Sequence, residues 1–147
     1  MTIKRISDLE FPKKDSEVIA NPPNKIGEFI DCILTSAVIA HKFHLKETGE
    51  GSFARHLALE ELYKALPEHA DEITEKYQGY TSVLIGTYPS MDQKSYMSMQ
   101  PLEFVTWLLD YVEKERVCFG EISSIQNLVD ELIGSIASTK YKLTFLS

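Results

Sequence analysis

The sequence has few basic residues, few cysteines and no long apolar run, and each shortage argues against a class of protein. Lys and Arg number 15 against 22 Asp and Glu, a net charge of -7 that disfavours nucleic-acid binding through a basic surface. No apolar run approaches the ~20 residues of a membrane-spanning helix, and residues 1–10 lack the apolar stretch of a secretory signal. We therefore predict a cytoplasmic protein with neither nucleic-acid nor membrane partners.

The remaining composition is that of one folded domain. The chain has 147 residues, of which 44% are hydrophobic and 25% charged, enough for a single core. The two cysteines, Cys32 and Cys118, fall in apolar segments. We predict that both are buried thiols in a reducing compartment and that no disulfide framework exists.

Hydrophobic periodicity predicts an all-α fold over residues 25–147, preceded by an extended N-terminal arm over residues 1–24. Apolar residues recur at helical spacing in four segments, at about 25–46, 52–79, 101–118 and 123–141, and Leu34 and Val38 widen the core-facing stripe of the first. Pro67 predicts a kink or break in the second helix. The link over residues 79–100 is long enough to cross the length of a bundle, so helices two and three can run parallel. A four-helix bundle with one long crossover has the arrangement of ferritin-like proteins.

The second predicted helix carries a polar strip apart from its core-facing side. At 100° per residue, the strip is about 120° wide, and the leucine stripe of the core lies on the other side of the helix. The strip contains His56, Glu60, Tyr63, Asp71 and Glu75. His41 and His44 stand near the end of the first helix, where both continue its apolar stripe.

A metal ion cannot bind His56 and Asp71 of one chain while the second helix is continuous. Fifteen residues at 1.5 Å each separate them by ~22 Å, whereas metal ligands lie within ~2.6 Å of the ion. Two antiparallel copies about a twofold axis would bring His44 and His56 of one chain to Asp71 and Glu75 of the other. Two imidazoles and two carboxylates suit Fe²⁺, Mn²⁺ or Zn²⁺ better than Ca²⁺ or Mg²⁺. Taken singly, each residue also fits a helix cap or a solvated face.

The spacing resembles the ferroxidase motif of the Dps-type (DNA-protection-during-starvation) ferritins. In that family the second histidine follows the first by 12 residues, and two acids follow the second histidine by 15 and 19 residues. His44, His56, Asp71 and Glu75 have the same gaps, and Gly49 falls at the family's glycine. The likeness covers roughly residues 25–146, with its specific part at residues 44–75. The amino-acid sequence around these residues is more similar to phage-encoded ferritin-like proteins of unestablished function. For such a protein, the predicted cytoplasmic location would be the cytoplasm of the host.

The resemblance implies a ferritin-like homo-oligomer, at least a dimer and up to a twelve-subunit shell. It implies that His44 and His56 bind Fe²⁺ together with Asp71 and Glu75 of a twofold-related chain, where peroxide or dioxygen oxidises the iron. The catalytic residues are not identified by the sequence. The lysine-rich DNA-binding tail of the family is absent, and Leu45 stands where the family usually has tryptophan.

Accessory residues and an alternative function complete the sequence-based prediction. Glu60, Tyr63 and His41 are accessory candidates, and Tyr63 or Trp107 would donate an electron if close to the metal. No histidine has a glutamate three residues before it, which disfavours the intrachain di-iron centre of classical ferritins. The alternative is a non-enzymatic ferritin-like module that binds a partner or a structural metal.

Overall fold

The computed structural model describes residues 24–147, so the arm expected over residues 1–24 lies outside the described residues except for Asn24. Five α-helices follow one another: α1 (Lys25–Lys46), α2 (Ser52–Thr81), α3 (Gln93–Met97), α4 (Pro101–Glu115) and α5 (Ser123–Phe145). A 3-10 turn over Arg116–Phe119 continues α4. No strand occurs between residues 24 and 147. The prediction of an all-α fold is therefore confirmed for this part of the chain.

The four long helices pack in a ring, in which each contacts two neighbours: α1 lies against α2 and α4, and α5 lies against the same two helices. Contacts along each pair show that neighbours are antiparallel. Between α1 and α2, aromatic side chains contact each other at positions 41 and 63 and at positions 44 and 56. Between α1 and α4, aromatic side chains contact each other at positions 29 and 111 and at positions 43 and 104. Consequently α2 and α4 point the same way, as the long link predicted.

The segment between α2 and α4 runs along α1 from its first turn to its last. Three polar side chains of the α1 region hold it, in the order of their positions along the helix. Asn24 Nδ2 donates to Thr87 O at 2.8 Å, Asp31 Oδ2 accepts from Met91 N at 2.8 Å, and Lys42 Nζ donates to Gln93 Oε1 at 2.9 Å. The short helix α3, which the sequence does not predict, interrupts this crossover.

The backbone of the crossover passes close to the backbone of the first turn of α1. Gly27 in the first turn of α1 leaves so little space that a Cβ atom there would lie 1.9 Å from Thr87 O. Asn24 supports the same contact, because its side chain caps α1 by accepting from Gly27 N at 2.9 Å. Only glycine permits the crossover to pass this close.

The core is formed by the predicted apolar stripes, with one exception in α1. Fully or almost fully buried residues include Ile30, Ile33, Leu59, Leu62, Leu66, Ile73, Leu108, Val112, Val129 and Leu132. Leu34 and Val38, which the sequence assigned to the core-facing stripe, remain 37% and 44% exposed. That assignment is wrong for the single chain, because the two residues lie on the outward face of α1.

Helix boundaries differ from the prediction in two places. α2 is unbroken through Pro67, so the break expected there does not occur. Proline only lacks the N–H that would otherwise donate to the carbonyl of Tyr63. The α-helical part of α4 ends at Glu115 rather than Cys118, because the chain tightens into the 3-10 turn. Cys32 is buried and Cys118 partly buried, and both are free thiols.

No helix within residues 24–147 has the length and apolarity needed to cross a membrane.

Candidate metal centre

The loop between α1 and α2 brings His44 and His56 together. Its two glycines, Gly49 and Gly51, have φ values of +85° and +73°, the left-handed region that favours glycine. Arg55 closes the loop from the first turn of α2. Its guanidinium donates to Glu47 Oε2 at 2.6 Å and to two loop carbonyls, those of residues 48 and 50, at 3.2 and 3.0 Å. These hydrogen bonds and the ion pair hold the last turn of α1 against the first turns of α2.

The two imidazoles form a reciprocally hydrogen-bonded stack. The ring centroids of His44 and His56 lie 3.6 Å apart and the planes are inclined by 23°. Nδ1 of His44 lies 2.9 Å from the backbone carbonyl oxygen of His56, and Nδ1 of His56 lies 3.0 Å from that of His44. Each histidine therefore positions the other through the backbone as well as through its ring.

These contacts determine the tautomer of both rings. A carbonyl oxygen only accepts, so each Nδ1 must carry the proton and donate it. In the neutral ring the lone pair is then on Nε2, the nitrogen that remains for a further ligand. A backbone carbonyl bonded to one ring nitrogen is the usual device that orients a metal-binding histidine and directs its other nitrogen to the ion. His44 is 7% exposed, so its lone pair has limited access to water.

Tyr63 and His41 extend the cluster of rings. Tyr63 lies edge-on to His44 at a centroid distance of 5.2 Å and stacks on His41 at 4.0 Å with planes 13° apart. His41 itself is 5.8 Å from His44 and exposed, although the sequence had placed it on the buried stripe of α1. The accessory residues Tyr63 and His41 thus surround the outer side of the histidine stack.

Glu60 is the acidic group nearest to the histidine pair on α2, one turn after His56. The hydrogen bond and ion pair with Lys64 lower the pKa of its carboxyl, and His44 and His56 lower it further to a smaller extent. The carboxylate is therefore ionised and belongs to the same electrostatic environment as the two imidazoles. It is the only predicted accessory residue that adds a negative charge.

Asp71 and Glu75 do not reach the histidines of their own chain. Both are exposed on α2, which continues without interruption from the histidine end to them, a distance of ~22 Å or more along the helix axis. Within residues 24–147, no group of three or more His, Cys, Asp or Glu side chains is close enough to hold a metal ion. A single chain therefore presents two imidazoles at one place and two carboxylates at another.

His69 and Trp107 belong to other parts of the molecule. His69 Nε2 shares a 2.8 Å hydrogen bond with Ser135 Oγ of α5, on the side of α2 away from His41. Trp107 of α4 packs against Tyr96 of α3 and Tyr111 of α4, with centroid distances of 4.3 and 5.4 Å. Tyr63 is thus the candidate electron donor beside the histidine pair, and Trp107 is not.

The reciprocal bonds to the carbonyls escaped sequence reasoning. Their only sequence signal is the interval of 12 residues between His44 and His56, with two glycines between them. That interval places two residues opposite each other across an antiparallel helical hairpin. Whether the rings then turn their Nδ1 atoms inward depends on loop geometry, which the spacing does not encode.

The class of protein defined by this fold and site is an all-helical protein with a paired-histidine hairpin. The model of a family of unknown function (DUF5856) matches residues 44–143, and the chain belongs to this family. The matched segment begins at His44 and includes His56, Asp71 and Glu75.

A phage protein is among the relatives. The chain is 24% identical over 123 residues to the "Uncharacterized 14.6 kDa protein in mobD-ri intergenic region" of Enterobacteria phage T4, covering 83% of this chain and 90% of the relative. No solved structure matches the chain.

Proposed function

We propose that this protein is a ferritin-like four-helix-bundle protein that binds Fe²⁺ at a site shared between two copies and oxidises it. His44 and His56 of one copy and Asp71 and Glu75 of the other would be the ligands. The resemblance to Dps-type ferritins motivates the proposal, and the ring of long helices with one crossover along its length is consistent with it.

The observation that carries the proposal is the stack of His44 and His56, in which both Nδ1 atoms contact backbone carbonyls and Nε2 is left for a ligand. Both Nδ1 atoms are engaged by backbone carbonyls, so the two rings are oriented before any metal arrives. Binding then requires little reorganisation of the imidazoles. Two nitrogen and two carboxylate ligands suit Fe²⁺, and also Mn²⁺ or Zn²⁺.

The outward face of the α1–α2 hairpin supports contact with a second copy. Leu34 and Val38 of α1 and Leu57 of α2 are 37–44% exposed. An antiparallel pairing that brings His56 opposite Asp71 and Glu75 puts the twofold axis near Lys64. The apolar residues of α1 would then be covered by the second copy.

The chemistry asked of the protein is simple. Fe²⁺ is the substrate, and peroxide or dioxygen would accept its electron. The chain would bind the ion through Nε2 of the two imidazoles, whose Nδ1 atoms are held by carbonyls, and Tyr63 lies 5.2 Å from His44 between ring centroids. Tyr63 would supply an additional electron when the oxidant needs one.

An anaerobic Fe²⁺ titration tests the binding step. We expect saturation near one ion per chain and loss of that binding in His56→Asn. Asparagine can still donate to the carbonyl of residue 44 from Nδ2, but it lacks Nε2. The matched control is His69→Asn, which alters a histidine on the opposite side of the same helix. Equal binding by wild type and His56→Asn would reject the site.

A second candidate function is a non-enzymatic module that binds a partner or a structural metal. The exposed apolar residues Tyr141, Phe145 and Leu146 at the end of α5, 55–72% exposed, favour it. Oxygen uptake after addition of Fe²⁺ separates the two candidates. Iron oxidation supports the first candidate, whereas metal binding that only raises the unfolding temperature supports the second.

A further inference from the structure

An aromatic cleft lies between α1, α4 and the crossover, on the side of α1 away from α2. Its volume is about 280 Å³, near the lower end of the range for small-molecule sites. Tyr96, Trp107 and Tyr111 form a continuous wall, with successive centroids 4.3 and 5.4 Å apart. Met91 and Pro89 of the crossover line the cleft as well.

The two most buried titratable groups of the cleft, Cys32 and the wall residue Tyr111, are neutral. Burial raises the pKa of the Cys32 thiol to about 12, and burial likewise raises the pKa of the Tyr111 phenol. Both groups therefore keep their protons at neutral pH, and neither contributes a charge. The thiol is also unreactive, because the thiolate is the nucleophilic form.

The rim, in contrast, is acidic. Glu28 lines the cleft directly, and Asp31 binds the backbone N–H of the lining residue Met91. Asp92 and Glu115 act electrostatically on the wall, since each contributes to raising the pKa of one of its tyrosines, Tyr96 and Tyr111 respectively. Two lysines offset part of this charge: Lys25 forms a 3.0 Å ion pair with Glu28, and Lys114 lies 3.5 Å from Glu115. The surroundings therefore carry an excess of negative charge.

Aromatic faces below an acidic rim attract cations, because the π quadrupole and the carboxylates act in the same sense. Each carboxylate already has one oxygen engaged by a donor: Asp31 Oδ2 accepts from the backbone N–H of Met91, and Glu28 Oε2 accepts from Lys25. A primary ammonium would therefore have to compete with these donors for the same two carboxylates. A quaternary ammonium has no N–H to satisfy, so it loses nothing in such a site.

We propose that this cleft binds a small free quaternary ammonium compound of about the size of choline, with its methyl groups against the wall of Tyr96, Trp107 and Tyr111 and its charge near Glu28. The site is separate from the histidine pair on the other side of α1. Its test therefore needs no iron and is independent of the function proposed above.

Trp107 provides the signal for the test, because it is the only tryptophan of the chain. The full-length protein is titrated with choline chloride at constant ionic strength, with tryptophan fluorescence and calorimetry recorded in parallel. The neutral isostere 3,3-dimethyl-1-butanol and the diamine putrescine are titrated in the same way. We expect choline to bind about five- to tenfold more tightly than the alcohol, and more tightly than putrescine.

Two variants at the rim should shift the affinity in opposite directions. Glu28→Gln should weaken choline binding by about fivefold, and Lys25→Met should strengthen it, because Glu28 is then released from its ion pair. Glu68→Gln on α2 is the matched control, since it removes the same charge far from the cleft and should leave the affinity unchanged. Circular dichroism verifies that all variants are folded.

Several results would overturn the proposal. Equal affinity for choline and the alcohol would mean a merely apolar cleft, and tighter binding of putrescine would mean the wrong class of cation. Equal losses in Glu28→Gln and Glu68→Gln would mean a general charge effect. No saturation by choline below about 10 mM would mean no site.

Discussion

Subunit complementation tests the shared metal site most directly. The first variant lacks both imidazole ligands, His44→Asn with His56→Asn, and the second lacks both acids, Asp71→Asn with Glu75→Gln. Neither variant alone has an intact site, whether the site is within one chain or shared. A mixture has intact sites only if the ligands of each site come from two chains.

Asparagine is chosen because of the reciprocal hydrogen bonds. Its Nδ2 atom can replace Nδ1 as the donor to the opposite carbonyl, whereas alanine would remove one donor from each of the two carbonyl groups. Each such bond contributes about 1 kcal/mol to the free energy of unfolding. Alanine variants would therefore combine ligand loss with destabilisation of the hairpin, and the asparagine variants separate the two effects.

The expected recovery follows from the pairing. In a random mixture a site has an intact histidine pair in half of all cases and an intact acid pair in half, so about a quarter of the wild-type sites return. This fraction is the same for a dimer and for a larger shell built from such dimers. Co-refolding, native mass spectrometry to prove mixing, anaerobic Fe²⁺ titration and the initial oxidation rate complete the assay. No recovery in a mixture that contains heterodimers would refute the shared site.

Three further predictions concern stability. Gly27→Ala should lower the free energy of unfolding by about 2 kcal/mol, because the added Cβ would meet Thr87 O. The control Gly134→Ala, at a position with open space, should raise the free energy of unfolding by about 0.5–1 kcal/mol. Equal effects of the two substitutions in urea denaturation would contradict the close approach at Gly27. Arg55→Met should cost about 2–3 kcal/mol, since it leaves the mostly buried Glu47 carboxylate without its partner, and a thermal melt like that of wild type would contradict this. Burial raises the pKa of Cys32 from 9.0 to about 12. The protonated thiol therefore contributes its full stabilisation below pH 9, and the free energy of unfolding falls by about 1 kcal/mol by pH 10, because the thiol of the unfolded chain has then given up its proton. Urea denaturation below pH 9 and at pH 10 should show a smaller pH dependence in Cys32→Ala than in wild type, and an unchanged dependence would contradict the prediction.

Helix positions and the core were largely predictable because both depend on local periodicity. A residue such as Leu62 is apolar at helical spacing from its neighbours, and burial of that stripe is the main stabilising contribution. The direction of α4 was predictable as well, because a link of that length can span α1. Periodicity failed for Leu34 and Val38, since an apolar stripe does not indicate whether its margin faces the core or solvent.

The set of candidate ligands also came from the sequence. The intervals between His44, His56, Asp71 and Glu75 require only counting, and the rise of a continuous helix already excludes a site within one chain. The contribution of a second copy remains a prediction, because the intervals describe one chain and not its association.

Only the tertiary structure determined how the chemical groups are presented. The turn at Gly49 and Gly51 brings the histidine rings to 3.6 Å and turns both Nδ1 atoms onto carbonyls, and this leaves Nε2 as the nitrogen that remains for a ligand. The aromatic cleft likewise joins Cys32 of α1 to Trp107 of α4 and to the crossover. Such contacts depend on loop conformation and on the packing of helices that are distant in sequence. Neither produces a periodic pattern in the amino-acid sequence, so neither could be predicted from it.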